Sequence, residues 1–339
     1  MKFSSPTDCD VVLYWVDSED PEWLNEYTKY KKSPPNRFRD LGVLKYVFRS
    51  IEYNMPWIRN IHFITNGQIP EWLNLSSPKL KFHTHDDIFY FKEALPVFNS
   101  SAIEANFSNI PGLAEQFILF NDDTLVLNPV DITRFFIEYK PVDYIKLSYP
   151  RKGKLYEKIK PQNALACKFI NNAYAYLDTK KVRELKIKTL FNTNYNWRTN
   201  ISNLFWYCAG DIKWIDIYHH PQPHLKKTWI DFYNTQKYGV IKDTCYAKFR
   251  SGKDINQYVY RFINLVRGNF YPMEFNDHKS VYINDVEKFK FLYEKIISGI
   301  TFLCFCEDEN ISDSDFSNLK GFLINRLEAH FEKKSSYEK

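Results

Sequence analysis

Phe117-Ile118-Leu119-Phe120-Asn121-Asp122-Asp123 carries four apolar residues straight into an amide and two adjacent carboxylates. An apolar run of that length reads as a buried strand, and its end delivers the acids to the edge of a sheet. The same design stands near the N-terminus, where Val11-Val12-Leu13-Tyr14-Trp15-Val16 ends at Asp17, with Asp20 three residues on. Carboxylates at the exposed ends of buried strands suit an α/β enzyme that handles a divalent cation and phosphate. Asp122 and Asp123 would face opposite ways in an extended chain, so they converge only where the strand has turned.

Working outward, Leu41, Leu44, Phe48 and Ile51 recur at helical spacing and predict a helix over 40–53, ended by Met55-Pro56. Strands are expected at 61–65 and, more weakly, at 81–84, which delivers His85, Asp86 and Asp87 to a loop. Ser101 with Glu104 has capping-box spacing and marks a helix start. Alternating strands and helices through residue 127 predict a mostly parallel sheet. Beyond residue 130 the pattern loosens. Asp131 is placed to cap a short helix, and strands are expected at 144–147, 212–218 and 300–306. Helices are expected at 223–237, 254–267, 286–298 and 316–332. The organisation read from this is an α/β catalytic half over 1–145, a basic insertion or lid over 146–205, a second catalytic half with helices over 206–332, and a frayed polar tail over 333–339.

The 339 residues include 28 Phe, 24 Tyr and 8 Trp but only 10 Gly, a composition for a packed globular chain rather than a linker-rich one. Between Lys146 and Lys188, twelve Lys/Arg stand against Glu157, Asp178 and Glu184, a local excess that suits an anionic partner such as a nucleotide, a polymer or a lipid surface. The six cysteines contain no C-x-x-C pair and read as free thiols in a reducing compartment. No signal-type leader and no 18-residue apolar run occurs, so the expectation is a cytoplasmic protein, with peripheral membrane contact left open.

His219-His220-Pro221-Gln222-Pro223-His224 is the one histidine-dense place, and a neutral imidazole accepts a proton near pH 7. No Cys/His spacing nearby matches a zinc site. Lys248, Arg250 and Lys253 offer cations to phosphate oxygens, with surface solvation as the ordinary alternative. Cys306-Glu307-Asp308-Glu309-Asn310 places three acids after another expected strand, as a late metal ligand or as solvated charge. The absence of G-x-x-x-x-G-K-[ST], G-x-G-x-x-G and G-x-S-x-G patterns weakens ATPase, dinucleotide-oxidoreductase and hydrolase readings, and no nucleic-acid module is present, so no nucleic-acid partner is expected.

Taken in order, these residues resemble the Stealth family of sugar-1-phosphate transferases. The resemblance lies in Asp10 to Trp23, including Trp15, Asp17 and Asp20. It continues through Arg37-Phe38-Arg39-Asp40, Leu44-Lys45-Tyr46, Arg49-Ser50-Ile51, Thr65-Asn66-Gly67-Gln68, His85-Asp86, Leu95 to Glu104 with Asn99-Ser100, and Phe120 to Asp123. His219-His220-Pro221-Gln222-Pro223 and Phe249-Arg250 are similar to the family's H-x-P-x-P and downstream arginine blocks, with the spacing favouring His219. The last block departs from the family's Cys-hydrophobe-Asn-Asp-Asn pattern; a gap-free match puts Glu309 at the acidic position, with Asp308 as the alternative.

The resemblance implies an α/β, GT-A-like nucleotide-sugar core with helical or lid-like additions. It implies transfer of a hexose- or N-acetylhexosamine-1-phosphate from a UDP-hexose or UDP-hexosamine to a hydroxyl of an oligosaccharide, polysaccharide or lipid-linked glycan, releasing UMP. Mg²⁺ or Mn²⁺ would be held by Asp17, Asp122, Asp123 and the late acid Asp308 or Glu309. His219 would accept the proton, and Arg250, with Lys45 or Arg49, would face the transferring phosphoryl group. Trp15, Asn66, Gln68, Asn99, Ser100, Asp122 and Asp123 would surround donor or nucleotide. The rival readings are a glycosyltransferase releasing UDP and a noncatalytic glycan-binding protein.

Overall fold

The computed structural model describes residues 8–160, 163–235 and 238–339. Strands β1 (Cys9–Tyr14), β2 (Ile61–Thr65), β3 (Leu80–Thr84) and β4 (Gln116–Phe120) lie parallel. After the acidic turn, β5 (Thr124–Val126) leaves this sheet, and β6 (Phe136–Ile137) and β7 (Lys140–Asp143) form a small hairpin. The later strand β8 (Gln222–Leu225) adds antiparallel to β4, giving the order β3-β2-β1-β4-β8. Strand β9 (Tyr271–Pro272) extends the hairpin, while β10 (His278–Ile283) and β11 (Phe302–Glu307) complete a second sheet in the order β10-β11-β5.

The apolar strands are continuous because the central sheet is covered on both faces. Val12, Phe117 and Leu119 join one core with Trp229, Phe262 and Ile170, whereas Val11, Leu13, Ile118 and Phe120 join the other with Phe48, Leu303 and Leu319. Successive residues thus alternate between two cores, as a pleated strand requires. The expected helix at 40–53 is Leu44–Asn54, Asp131 caps the short turn Ile132–Arg134, and the closing helix is Asp313–His330. No helix among the described residues is long and apolar enough to cross a membrane.

Several expectations need correction. Within the segment expected as a basic insertion or lid over 146–205, Ile170, Leu177, Val182 and Leu190 are buried in the same core as Phe117. Residues 144–147 and 212–218 share only the isolated bridge Leu147↔Ile215. Across that bridge the Ser148 and Asp216 amides donate to the Trp214 and Lys146 carbonyls, and a side chain satisfies other groups: Asn203 accepts from the Leu147 amide and donates to the Ile145 carbonyl. The helix expected from 223 begins at Lys226, because Gln222–Leu225 is recruited into β8; residues 236–237 lie outside the described residues. The tail over 333–339 is not frayed. Tyr337 is buried against Phe48, and Glu338 pairs with Arg49.

Candidate active site

The C-terminal ends of β1 and β4 open into a cleft of about 170 Å³. Trp15, Asn66, Asn99, Ser100, Asp122 and Arg250 line it, so six residues singled out in the sequence come together across five separate chain segments. This is the crevice at strand C-termini where α/β folds take ligands. Two polar atoms in its walls, Trp15 Nε1 and Asn66 Oδ1, are buried without a hydrogen-bond partner among the described residues. An unmet donor and an unmet acceptor in one cleft fit a polar ligand.

Arg250 is exposed and directs Nε and Nη2 to the Ser100 hydroxyl at 3.0 and 2.6 Å. The loop behind it is held by Asn99, whose side-chain amide donates to the Ala247 carbonyl and to the Asp254 carboxylate at 2.9 Å. Asn99 also caps the short helix Ser100–Glu104 by accepting from the Ser101 amide. The Ser101/Glu104 capping box is therefore not formed. Glu104 instead accepts from the Tyr14 hydroxyl and the Gln257 amide. Gln68 has a comparable supporting place, since it accepts from the Asp17 amide and donates to the Asp17 carbonyl.

The acids gather at the cleft's edge. Burial pushes the Asp122 carboxyl up, and the negative charges of Asp123, Asp40 and Glu307 push it further. Asp40 is raised by burial and then by Asp17 and Glu19, and Glu307 by burial and then by Asp123. Mutually repelling carboxylate oxygens are the donor chemistry of a hard divalent cation. Glu307 ends β11, and its charge is among those that raise the Asp122 carboxyl. The Asp308 carboxylate accepts from the Asn310 backbone and side chain, while Glu309 is exposed.

His219 stands beside this group. Asn121 Nδ2 lies 2.7 Å from His219 Nε2, and Cys304 Sγ lies 3.1 Å from its Nδ1. With the Asn121 amide donating, Nε2 keeps its lone pair and Nδ1 carries the proton. His220 is buried instead, stacked on Tyr218 with its Nδ1 at 2.7 Å from the Pro221 carbonyl oxygen, and burial pushes its pKa down. The two neighbouring histidines thus occupy opposite environments.

Lys45 and Arg49 are not brought to the cleft. Arg49 is buried and held bidentately by Glu338, with Glu328 and the Phe331 carbonyl on its remaining nitrogen; Lys45 pairs with Glu328. Their charges are already neutralised by the C-terminal segment. Three residues given no role from the sequence, Arg39, Asp40 and His85, stand at this cleft or beside its acids. Arg39 keeps Nε and Nη2 buried without an acceptor among the described residues and lowers the Glu307 carboxyl. His85 is buried in the cleft wall, where desolvation brings its pKa to about 4. Arg39-Asp40 and His85 stood inside the resembling blocks, and that was the available signal.

Residues 37–143 match the Stealth protein CR2 model, conserved region 2. A capsular polysaccharide phosphotransferase of Streptococcus pneumoniae, WcwK, is 34% identical over 97% of this chain and 98% of its own. The exopolysaccharide phosphotransferase cps2G of Lactiplantibacillus plantarum is 28% identical, covering 99% of this chain and 98% of its own. Among solved structures, the galactosyltransferase LgtC aligns over 92% of this chain and 95% of its own, at 12% identity and a TM-score of 0.31. The end-to-end match to WcwK, together with the conserved-region match spanning β2 to β7, leads to one conclusion: the chain belongs to the Stealth family of bacterial capsular and exopolysaccharide phosphotransferases.

Proposed function

We propose that the protein transfers hexose- or N-acetylhexosamine-1-phosphate from a UDP-sugar to a glycan hydroxyl in capsule or exopolysaccharide synthesis, releasing UMP. The observation that carries this reading is the exposed His219, tied through Asn121 to the turn bearing Asp122, whose cleft also holds Arg250. The acceptor hydroxyl takes the position of the Asn121 amide against Nε2. Its oxygen attacks the phosphorus bonded to the donor sugar, its proton passes to Nε2, and the bond to the bridging oxygen of UMP breaks. Arg250, already aimed at Ser100, faces charge on the phosphoryl oxygens. Asp17, Asp122, Asp123 and Glu307 would hold Mg²⁺ or Mn²⁺, which when bound neutralises the donor diphosphate.

A UDP-hexosamine or UDP-hexose is the donor in this reading, and a lipid-linked glycan at the inner face of the membrane is the favoured acceptor. Peripheral attachment there is supported by the helix Trp197–Ala209. Trp197, Ile201, Leu204 and Phe205 are each more than half exposed at i, i+4, i+7, i+8 spacing, and the Tyr149 ring lies tilted beside Phe205. Arg198 lies on the same helix with its guanidinium over the Trp197 ring, and Lys152 and Lys154 follow Tyr149 in sequence; none of the three has a carboxylate partner among the described residues. An apolar stripe beside unpaired cations suits an anionic bilayer surface.

Incubation with a panel of UDP-sugars and candidate glycans tests the reading. UMP release with a phosphodiester signal in phosphorus NMR is the expected result. UDP release would mark a glycosyltransferase, and glycan binding without donor consumption a binding protein.

A further inference from the structure

We propose that His219, Cys304 and Cys306 form a soft-metal site for Zn²⁺ that is distinct from the carboxylate group and switches the histidine off. One ligand atom from each of the three side chains lies within 4.8 Å of the others. The Cys304 and Cys306 sulfurs are 3.5 Å apart, and His219 Nδ1 is 3.1 Å from Cys304 Sγ. The edges of a zinc tetrahedron with two thiolates and an imidazole are about 3.5–3.8 Å, from the usual metal–ligand lengths. These two edges therefore need to lengthen by only a few tenths of an ångström, and the third, between His219 and Cys306, lies within 4.8 Å.

The backbone explains why these groups meet. Cys304 and Cys306 are two apart on β11 and so project from the same face, while Leu303 and Phe305 project into the core on the other. Ser280 of β10, directly opposite Cys304 in the ladder, donates to the His219 carbonyl and pins the histidine loop over the thiols. All six cysteines are free thiols, so both sulfurs are available. The fourth position is left to water, because the Asp123 carboxylate beside the Cys304 thiol belongs to the carboxylate group.

Softness separates the two sites. Mg²⁺ takes oxygen donors and has little affinity for a thiolate pair, whereas Zn²⁺ prefers sulfur and imidazole nitrogen. Binding expels the two thiol protons. It also moves the imidazole proton from Nδ1 to Nε2, because Nδ1 must give its lone pair to the metal. Nε2 then becomes a donor and cannot accept a proton. This inhibition, unlike the metal binding itself, rests on the proposed role of His219.

The test uses the full chain under a non-chelating reductant, with Co²⁺ as a spectroscopic probe and Zn²⁺ as competitor. The expected result is a thiolate-to-cobalt charge-transfer band that Zn²⁺ abolishes and Mg²⁺ leaves intact. Cys306→Ser, checked for folding by circular dichroism and paired with Cys306→Ala, is expected to transfer normally without zinc. Its Co²⁺ affinity should fall by ~100-fold or more, as befits loss of a direct ligand, and zinc inhibition should shift in parallel. Absence of the band, or a band unchanged in both Cys306 variants, overturns the site. A thiolate band with no effect of Zn²⁺ on transfer keeps the metal site and overturns the role assigned to His219.

Discussion

Asn121 and His219, ninety-eight positions apart, meet at 2.7 Å between Nδ2 and Nε2. The amide belongs to the turn that also carries Asp122 and Asp123, so one backbone segment sets both the histidine's tautomer and the position of the acids. His219→Ala is expected to lower transfer by ~10²–10⁴-fold, the range for losing a general base, with little change in melting temperature. His220→Ala should do the reverse, because that ring is packed against Tyr218, His278 and Phe302. Turnover and thermal melts of the two variants, measured side by side, check the assignment; a dead His220→Ala with wild-type stability would transfer the role to His220.

The charges of Glu307 and the Asp122–Asp123 pair raise one another's carboxyls, and Glu307 is the late acid proposed for the metal. Glu307→Gln is expected to reduce transfer by ~10²-fold or more, as loss of an electrostatic group in such a site does, and to raise the Mg²⁺ or Mn²⁺ concentration needed for half-maximal rate. Asp308→Asn and Glu309→Gln should leave that metal requirement unchanged. Metal titrations of the three variants decide the matter.

The buried pair Arg49–Glu338 ties the Leu44–Asn54 helix to the C-terminal segment. Glu338→Gln leaves the Arg49 guanidinium without its bidentate partner, and breaking a buried pair from one side costs roughly 3–5 kcal/mol. A lowered denaturation midpoint is expected, with the KM for donor unchanged in the folded fraction.

Acid should weaken the fold through Asp10. Burial alone would raise this carboxyl, but hydrogen bonds from Arg59, His62 and the Ala114 amide outweigh it and hold the pKa at about 2. A depressed folded-state value contributes stability that is fully present above the unfolded value of about 3.9 and is lost as pH falls toward 2. Denaturant midpoints measured from pH 5 to pH 2 should fall over that window, and Asp10→Asn should flatten the slope while lowering the plateau.

The exposed stripe on Trp197–Ala209 makes a separable prediction. Trp197→Glu with Leu204→Glu is expected to abolish flotation with vesicles containing anionic lipid, while transfer to a water-soluble acceptor persists. Retained flotation would show that this face is not the one that meets the bilayer.

Strands β1, β2 and β4 were readable because burial on both faces leaves apolar runs, whereas β3, at the sheet edge with Lys81 exposed, gave the weaker signal. The 212–218 stretch misled for a related reason: Trp214 and Ile215 are fully buried, but Asn203 does for its neighbour Leu147 what a ladder partner would do. Arg49 was misread because its partners, Glu328 and Glu338, lie at the far end of the chain, and nothing local distinguishes a buried ion pair from a phosphate ligand. Which of the three late acids faces Asp122 was not legible, because the gap-free match from Cys306 points to Glu309 while Glu307 is the one whose charge reaches the Asp122 carboxyl. The continuation of β11 through Glu307 is a property of its pairing with β10, which the local sequence does not display.

The antiparallel pairing of Thr124 with Cys304 joins the acidic turn to a strand made much later in the chain. During synthesis the first four parallel strands emerge from the ribosome well before β11, so a nascent chain already has the floor of its cleft but lacks Glu307 and the thiols beside His219. Long-range strand pairing is also slow to form. Activity therefore arrives late and all at once, and a chain stalled before residue 302 would hold a half-built pocket with no means of turning over its donor.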